Sequence, residues 1–217
     1  MNLPNYITMA RIFCVPVLIW ILVSNYFHDG HGQKELVASA VFILASITDG
    51  IDGYLARKRG QVTTLGMLLD PLADKLMIAA AFITLVQIAP EIVPAWMAVI
   101  IIGREFLVSG LRSIAAQEGF TIQASDLGKF KMVVQIVSVV AVILAHRWDF
   151  WPVGQYVFPV KFIARTAIWF MVSLSLVSAA DYFIGFWSKI DHQAAKSRKR
   201  RVFVLSRRRK QNDVPAT

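Results

Sequence analysis

Four aspartates crowd the stretch TDGIDGYLARKRGQVTTLGMLLDPLADK, which runs from Thr48 to Lys75. Asp49 and Asp52 are three residues apart, and Asp70 and Asp74 are four apart. On a helix each pair shares a face. The flanking sequence is apolar, and a carboxylate in hydrocarbon is expensive. Two carboxylates about 4 Å apart repel by about 4 kcal/mol at an effective dielectric of 20. Four together cannot all stay ionised unaided, so some take protons or a cation binds. The stretch holds no His or Cys. Carboxylate-only ligation suits a hard divalent ion such as Mg²⁺ or Mn²⁺, with positions left open for water or phosphate oxygens.

The neighbours fit anion chemistry. Arg57 offers positive charge to an anionic substrate. Gly53 and Gly66 let backbone and ligand approach closely. Pro71 is expected to kink a helix or mark its first turn. Intramembrane carboxylates also mark proton relays and ion pathways, so a transporter stays open beside metal-assisted phosphate chemistry. A set of helix caps and ion pairs is the bland third reading.

The elements that must position these groups are helices in a bilayer. Of 217 residues, 56% are hydrophobic and 17% charged, with mean hydropathy +0.55. That is too apolar for an ordinary soluble domain. Six segments approach the roughly 20 apolar residues of a spanning helix: Tyr6–Tyr26, Glu35–Thr48 running on into the aspartate stretch, Gly66–Ile88, Pro94–Ser113, Phe130–His146 and Val157–Trp187. No strand-period pattern competes with them. The expectation is an all-α integral membrane protein with six transmembrane helices in one catalytic domain, residues 1–187, followed by a basic cytoplasmic tail, residues 188–217. The first apolar run ends at SNYFHDG with no clear small-residue cleavage site, so it reads as a retained helix. The single Cys14 makes no intrachain disulfide and reads as a small buried hydrophobe.

Six helices put both termini on one side. Arg11, the turn containing Arg57, Lys58 and Arg59, the connection from Arg112 to Lys131, and the C-terminal tail all fall there. The opposite loops are poorer in Lys and Arg, so that shared side is cytoplasmic. Trp96, Trp148, Trp151, Tyr156 and Trp187 fall near expected helix ends, where aromatic belts form. A short turn, Lys58–Leu65, makes the second and third helices antiparallel neighbours and lets all four aspartates meet near the cytoplasmic boundary. From Lys189 to Lys210 the tail holds ten of the chain's 23 basic residues. Anionic membrane lipid is its favoured partner, at about 1 kcal/mol per residue near the surface. Nucleic acid is the disfavoured alternative, and a solvated topogenic tail the bland one. The last residues, QNDVPAT, read as disordered.

The spacing Asp52-Gly53-x2-Ala56-Arg57-x8-Gly66-x3-Asp70-x3-Asp74, with Asp49 three residues ahead, resembles the signature of the CDP-alcohol phosphatidyltransferases and departs from it nowhere. The resemblance implies that Asp49, Asp52, Asp70 and Asp74 hold one or two divalent ions, with Asp74 also the general base. It implies that Gly53, Ala56, Arg57 and Gly66 shape the nucleotide and diphosphate pocket. Asn5 and Thr8 would border the nucleotide, although helix capping is the simpler role for each.

The acceptor alcohol depends on a second group of residues. IIGREFLVSGLRS places Arg104, Glu105 and Arg112 in an apolar run. Arg104 and Arg112 are about 12 Å apart along a helix and roughly 80° apart around it, so both can line one broad cavity. DLGKFKMVVQ adds Lys129 and Lys131, which point to different sides of the next helix. Cations without nearby acidic partners suit an anionic acceptor, and the arginine fork suits phosphate. The alternatives are an Arg104 that snorkels or pairs with Glu105, and lysines that only set topology. NLPNYITMARI, LLDPLADK, GREFLVSGLRSIAA and GKFKMVVQ are similar to the bacterial phosphatidylglycerophosphate synthases over most of Met1–Val140. One departure is Met132, where a Thr is common. The likeness implies CDP-diacylglycerol as donor and sn-glycerol 3-phosphate as acceptor, with Arg104, Arg112, Lys129 and Lys131 on its phosphate. It also implies a homodimer in the bacterial inner membrane. Cardiolipin-forming and inositol-phosphate-using relatives, and polyprenyl transferases, are the rival chemistries. His28 and His31 fall in the loop away from the aspartates and read as a polar loop; His146, His192 and Asp181 receive no role.

Overall fold

The computed structural model describes the backbone of residues 3–24, 32–59, 64–119, 127–153 and 156–212. Side chains are described over the same spans except 3–5, 7, 49–59, 64–68, 70–71, 127–129, 153 and 191–212. Among these residues the chain forms six helices and one hairpin: α1 Leu3–Val23, α2 Gln33–Arg59, α3 Thr64–Ile88, α4 Ala95–Gln117, α5 Leu127–Ala145, β1 Trp151–Val153, β2 Tyr156–Phe158 and α6 Val160–Asn212. α1 packs on α2 and α3, and α6 packs on α4 and α5; α3 against α4 and α2 against α5 join the two groups.

Each helix turns one stripe inward at the three- and four-residue spacing of a helix face. On α4 the stripe is Met97, Ile101, Arg104, Val108 and Ala115. On α6 it is Ala164, Ile168, Met171, Ser175, Ser178 and Tyr182. The core is therefore mostly apolar, with a cluster of polar groups around Arg104. Leu18, Phe42, Phe82, Leu85, Ile143 and Ile168 fill the apolar part, while Arg104, Lys131, Gln135, Ser175 and Ser178 are buried too. The outward faces are reversed in character. Phe13, Leu44, Ile83, Val99, Val133 and Phe162, one from each helix, are all more than half exposed. Small hydroxyls inside the helices are satisfied locally: Ser46, Thr84 and Ser109 donate to the carbonyl four residues earlier at 2.8 Å, which makes a hydroxyl tolerable in an apolar setting.

Several expectations are corrected. Lys58 and Arg59 continue α2, and Leu65 already belongs to α3, so the connection between helix ends is shorter than a Lys58–Leu65 turn. Pro71 lies inside α3 rather than in its first turn. α1 begins at Leu3, which puts Asn5 and Thr8 within the helix and removes a capping role for both. α4 runs to Gln117, so Arg112 is helical. It stops where Gly119 takes φ +78 and its N–H reaches the Ala116 carbonyl at 3.2 Å, a left-handed C-terminal cap that glycine adopts without steric cost.

Between α5 and α6 the chain forms an antiparallel pair, with Trp151 opposite Phe158 and Val153 opposite Tyr156. It is too short to show an alternating pattern in sequence. α6 continues unbroken from its apolar part through Trp187 to Asn212, so Trp187 lies mid-helix; Gln211 and Asn212 are helical, and residues 213–217 of the expected disordered end lie outside the described residues. Among the described residues one stretch, Val160–Ile190, is long and apolar enough by itself to cross a membrane, with Thr8–Val23 and Phe130–Ala145 as shorter apolar helices. α4 is 23 residues long, but Arg104, Glu105 and Arg112 interrupt its apolar character.

The end of the bundle away from the polar core is fixed by specific contacts. His146 Nδ1 lies 2.9 Å from Glu35 Oε1, joining the end of α5 to the first turn of α2. Trp148 stacks on Trp151 with centroids 4.8 Å apart. Gly32, at φ +75, lies directly beneath Trp148, where an added Cβ would fall 2.2 Å from the indole ring. Cys14 is a free, half-buried thiol packed against the core, as expected of a small hydrophobe.

Candidate active site

Five helices contribute to one cavity of ≈ 230 Å³. α2 supplies Ser46, α3 supplies Asp74, Lys75 and Ile78, and α4 supplies Arg104, Glu105, Val108, Ser109 and Arg112. α5 adds Lys131, Met132, Gln135 and Ile136, and α6 adds Tyr182. Its described lining thus holds four cationic side chains against two carboxylates. A cavity with that excess, walled by apolar helices, focuses a field that attracts anions.

The cations are held in place. Arg104 is 8% exposed. Its Nη1 donates to both oxygens of Glu105, at 3.3 and 3.4 Å, and its Nη2 donates to the Ser178 hydroxyl. Lys131, 3% exposed, pairs with the same Glu105 carboxylate from α5. Arg112 donates to the Tyr182 hydroxyl. Both arginines lie over the Tyr182 ring, with Cζ atoms 5.8 Å (Arg104) and 5.0 Å (Arg112) from its centroid. A guanidinium within about 6 Å of an aromatic centroid gains cation–π attraction. Tyr182 thus contacts both arginines, although they lie roughly 80° apart around α4.

Of the expected acceptor residues, Arg104, Arg112 and Lys131 therefore come together, while the side chain of Lys129 lies outside the described residues. The alternative in which Arg104 pairs with Glu105 is the one found, and the premise that these cations lack acidic partners is corrected: Glu105 is shared by Arg104 and Lys131. Glu105 follows Arg104 directly in sequence, but its reach to Lys131 depends on how α4 meets α5. Thr8 is buried in α1, and the side chain of Asn5 lies outside the described residues.

Asp74 lines the cavity from α3 and is partly exposed. The side chains of Asp49, Asp52, Gly53, Ala56, Arg57, Gly66 and Asp70 lie outside the described residues; His28 and His31 lie outside them altogether, as does the side chain of His192. Their backbones still locate the motif: Asp49, Asp52, Gly53, Ala56 and Arg57 are in the last part of α2, and Gly66, Asp70 and Asp74 in the first part of α3. Four residues separate Arg59 from Thr64, so those helix ends can be no more than about 18 Å apart.

Tyr182 and Gln135 also line the cavity and were not among the expected residues. The available signal was spacing: Ser175, Ser178 and Tyr182 form a polar stripe on an otherwise apolar helix, and Gln135 follows Lys131 by one helical turn.

The helical bundle, its cation-rich cavity and the spacing of the aspartates together point to one class. The chain belongs to the CDP-alcohol phosphatidyltransferase family, whose model matches residues 1–182. It is 41% identical over 196 residues to a Bacillus subtilis (strain 168) protein named CDP-diacylglycerol--glycerol-3-phosphate 3-phosphatidyltransferase, covering 87% of this chain and 97% of that one. A Rickettsia typhi protein of the same name is 34% identical over 182 residues, covering 84% and 95%. A solved Mycobacterium tuberculosis phosphatidylinositol phosphate synthase, in complex with manganese and citrate, shares the fold with TM-score 0.60 at 17% identity, over 86% of this chain and 83% of that one.

Proposed function

We propose that this chain is an integral membrane enzyme that transfers the phosphatidyl group of CDP-diacylglycerol to sn-glycerol 3-phosphate and releases CMP. The observation that carries the reading is the cavity in which Arg104, Arg112 and Lys131 converge beside Asp74. Three cations next to a carboxylate suit an acceptor with a phosphate at one end and a hydroxyl at the other.

In this reading the phosphate of the acceptor docks on Arg104, Arg112 and Lys131, with Lys129 nearby. The docked acceptor presents its terminal hydroxyl to Asp74. Asp74 takes the proton as that oxygen bonds to the lipid-side phosphorus and the bond to CMP breaks. Gly53, Ala56, Arg57 and Gly66 shape the nucleotide and diphosphate pocket, which Asn5 and Thr8 border. Asp49, Asp52, Asp70 and Asp74, carried on the adjoining parts of α2 and α3, would supply an all-carboxylate donor set, whose chemistry suits Mg²⁺ or Mn²⁺. When bound, the ion supplies charge stabilisation on the diphosphate.

The membrane reading rests on inversion of the usual pattern. Apolar side chains face outward on every helix while arginine, lysine, glutamine and serines are buried. Soluble monomers rarely expose apolar surface this extensively. The enzyme would span the bacterial cytoplasmic membrane six times with both termini and the active site on the cytoplasmic face. The catalytic bundle would be residues 1–187 and the basic part 188–217 a tail set against anionic lipid; the working form is a homodimer. Release of CMP from CDP-diacylglycerol by the purified enzyme, with a panel of alcohols, tests the acceptor. Turnover with sn-glycerol 3-phosphate is expected. Turnover with phosphatidylglycerol or inositol phosphate instead would reassign it, and nucleotide-independent ion flux in liposomes would replace it.

A further inference from the structure

Gln135 is 6% exposed and lines the cavity, yet its amide Nε2 is buried with no hydrogen-bond partner. Arg104 Nε is in the same condition on the facing helix. Buried polar groups are nearly always satisfied, and an orphan costs free energy. Of the buried polar atoms without a partner, these two belong to side chains that line the cavity, where a ligand can complete them.

We propose that Gln135 is a specificity-determining residue that reads the secondary hydroxyl of the acceptor, the one that does not attack phosphorus. The proposal rests on the reading of the acceptor as a glycerol phosphate. Its phosphate belongs to Arg104, Arg112 and Lys131, and its attacking hydroxyl to Asp74. The middle hydroxyl is left, and Gln135 lies one helical turn beyond Lys131 on α5. A hydroxyl both donates and accepts, and an amide end offers both functions. Sites built to hydrogen-bond a substrate hydroxyl discriminate against the analogue lacking it, because the protein group is then left unpaired.

The test compares sn-glycerol 3-phosphate with 3-hydroxypropyl phosphate, which lacks only that hydroxyl. The unmodified enzyme should prefer the glycerol compound by roughly 10- to 100-fold in kcat/KM, as one neutral group left unpaired implies. In Gln135→Leu, and in the near-isosteric Gln135→Met, the preference should collapse toward one. Because it is a ratio within one preparation, it does not depend on the fraction of enzyme that folds. A preference preserved in both variants, even with both rates reduced, gives Gln135 a purely structural role and overturns the proposal. Equal use of the two acceptors by the unmodified enzyme also overturns it. No turnover with either compound by the unmodified enzyme overturns the acceptor reading beneath it.

Discussion

Glu105→Gln isolates the charge that the cavity holds in reserve. The Glu105 carboxylate serves Arg104 at 3.3 Å and pairs with Lys131, whose side chains are 8% and 4% exposed, while its own is 21% exposed. Unit charges about 4 Å apart at an effective dielectric of 20 interact by about 4 kcal/mol. Partial exposure of Glu105, and the hydrogen bond that a glutamine oxygen still accepts, reduce the loss to about 2 kcal/mol. The same carboxylate repels an acceptor phosphate drawn to these cations. Removing it should therefore destabilise the free enzyme and strengthen acceptor binding. KM for sn-glycerol 3-phosphate should fall by about 10-fold, equivalent to about 1.4 kcal/mol, with kcat changed no more than a few-fold. The assay is CMP release against acceptor concentration at fixed CDP-diacylglycerol. Thermal unfolding should in parallel show more stabilisation by the acceptor in the variant than in the parent. A KM that rises instead would mean that Glu105 aims the two cations and does not compete with the substrate.

Other substitutions separate the remaining roles. Asp74→Asn should leave binding of both substrates largely intact and lower turnover by at least about 10²-fold; substantial residual turnover would remove Asp74 as base. Arg104→Ala should raise the acceptor KM by roughly 10- to 100-fold through loss of charge-assisted hydrogen bonds, and unchanged acceptor kinetics would make that arginine structural. Gly32→Ala forces a side chain onto φ +75 beneath the indole of Trp148. It should lower stability by about 3 kcal/mol in thermal unfolding with little change in acceptor KM; an unaltered Tm would contradict the packing described for that end.

The helices were legible because apolar length and spacing are local properties, and all six segments expected from sequence correspond to helices in the expected order. Arg104, Arg112 and Lys131 were legible as charges that an apolar run does not tolerate without a reason. What joins them was not. Glu105 reaches Lys131, and Tyr182 reaches both arginines, only because α6 packs on both α4 and α5 and brings their side chains to one cavity. Neutral Gln135 announces itself only through burial. The β1–β2 hairpin escaped because its strands are three residues each, too short for a period-two pattern. The length of α6 escaped because its charged half lacks the apolar stripe from which the other helices were read.

In the proposed enzyme, carboxylates at the α2–α3 junction hold a divalent cation beside the cavity of Arg104, Arg112 and Lys131. The direct measurement is CMP release from CDP-diacylglycerol and sn-glycerol 3-phosphate by purified enzyme, before and after exhaustive chelation and after return of Mg²⁺ or Mn²⁺. Activity should vanish on chelation and return with the ion, and Asp49→Asn should need more of it. Full activity in the chelated enzyme would contradict the account.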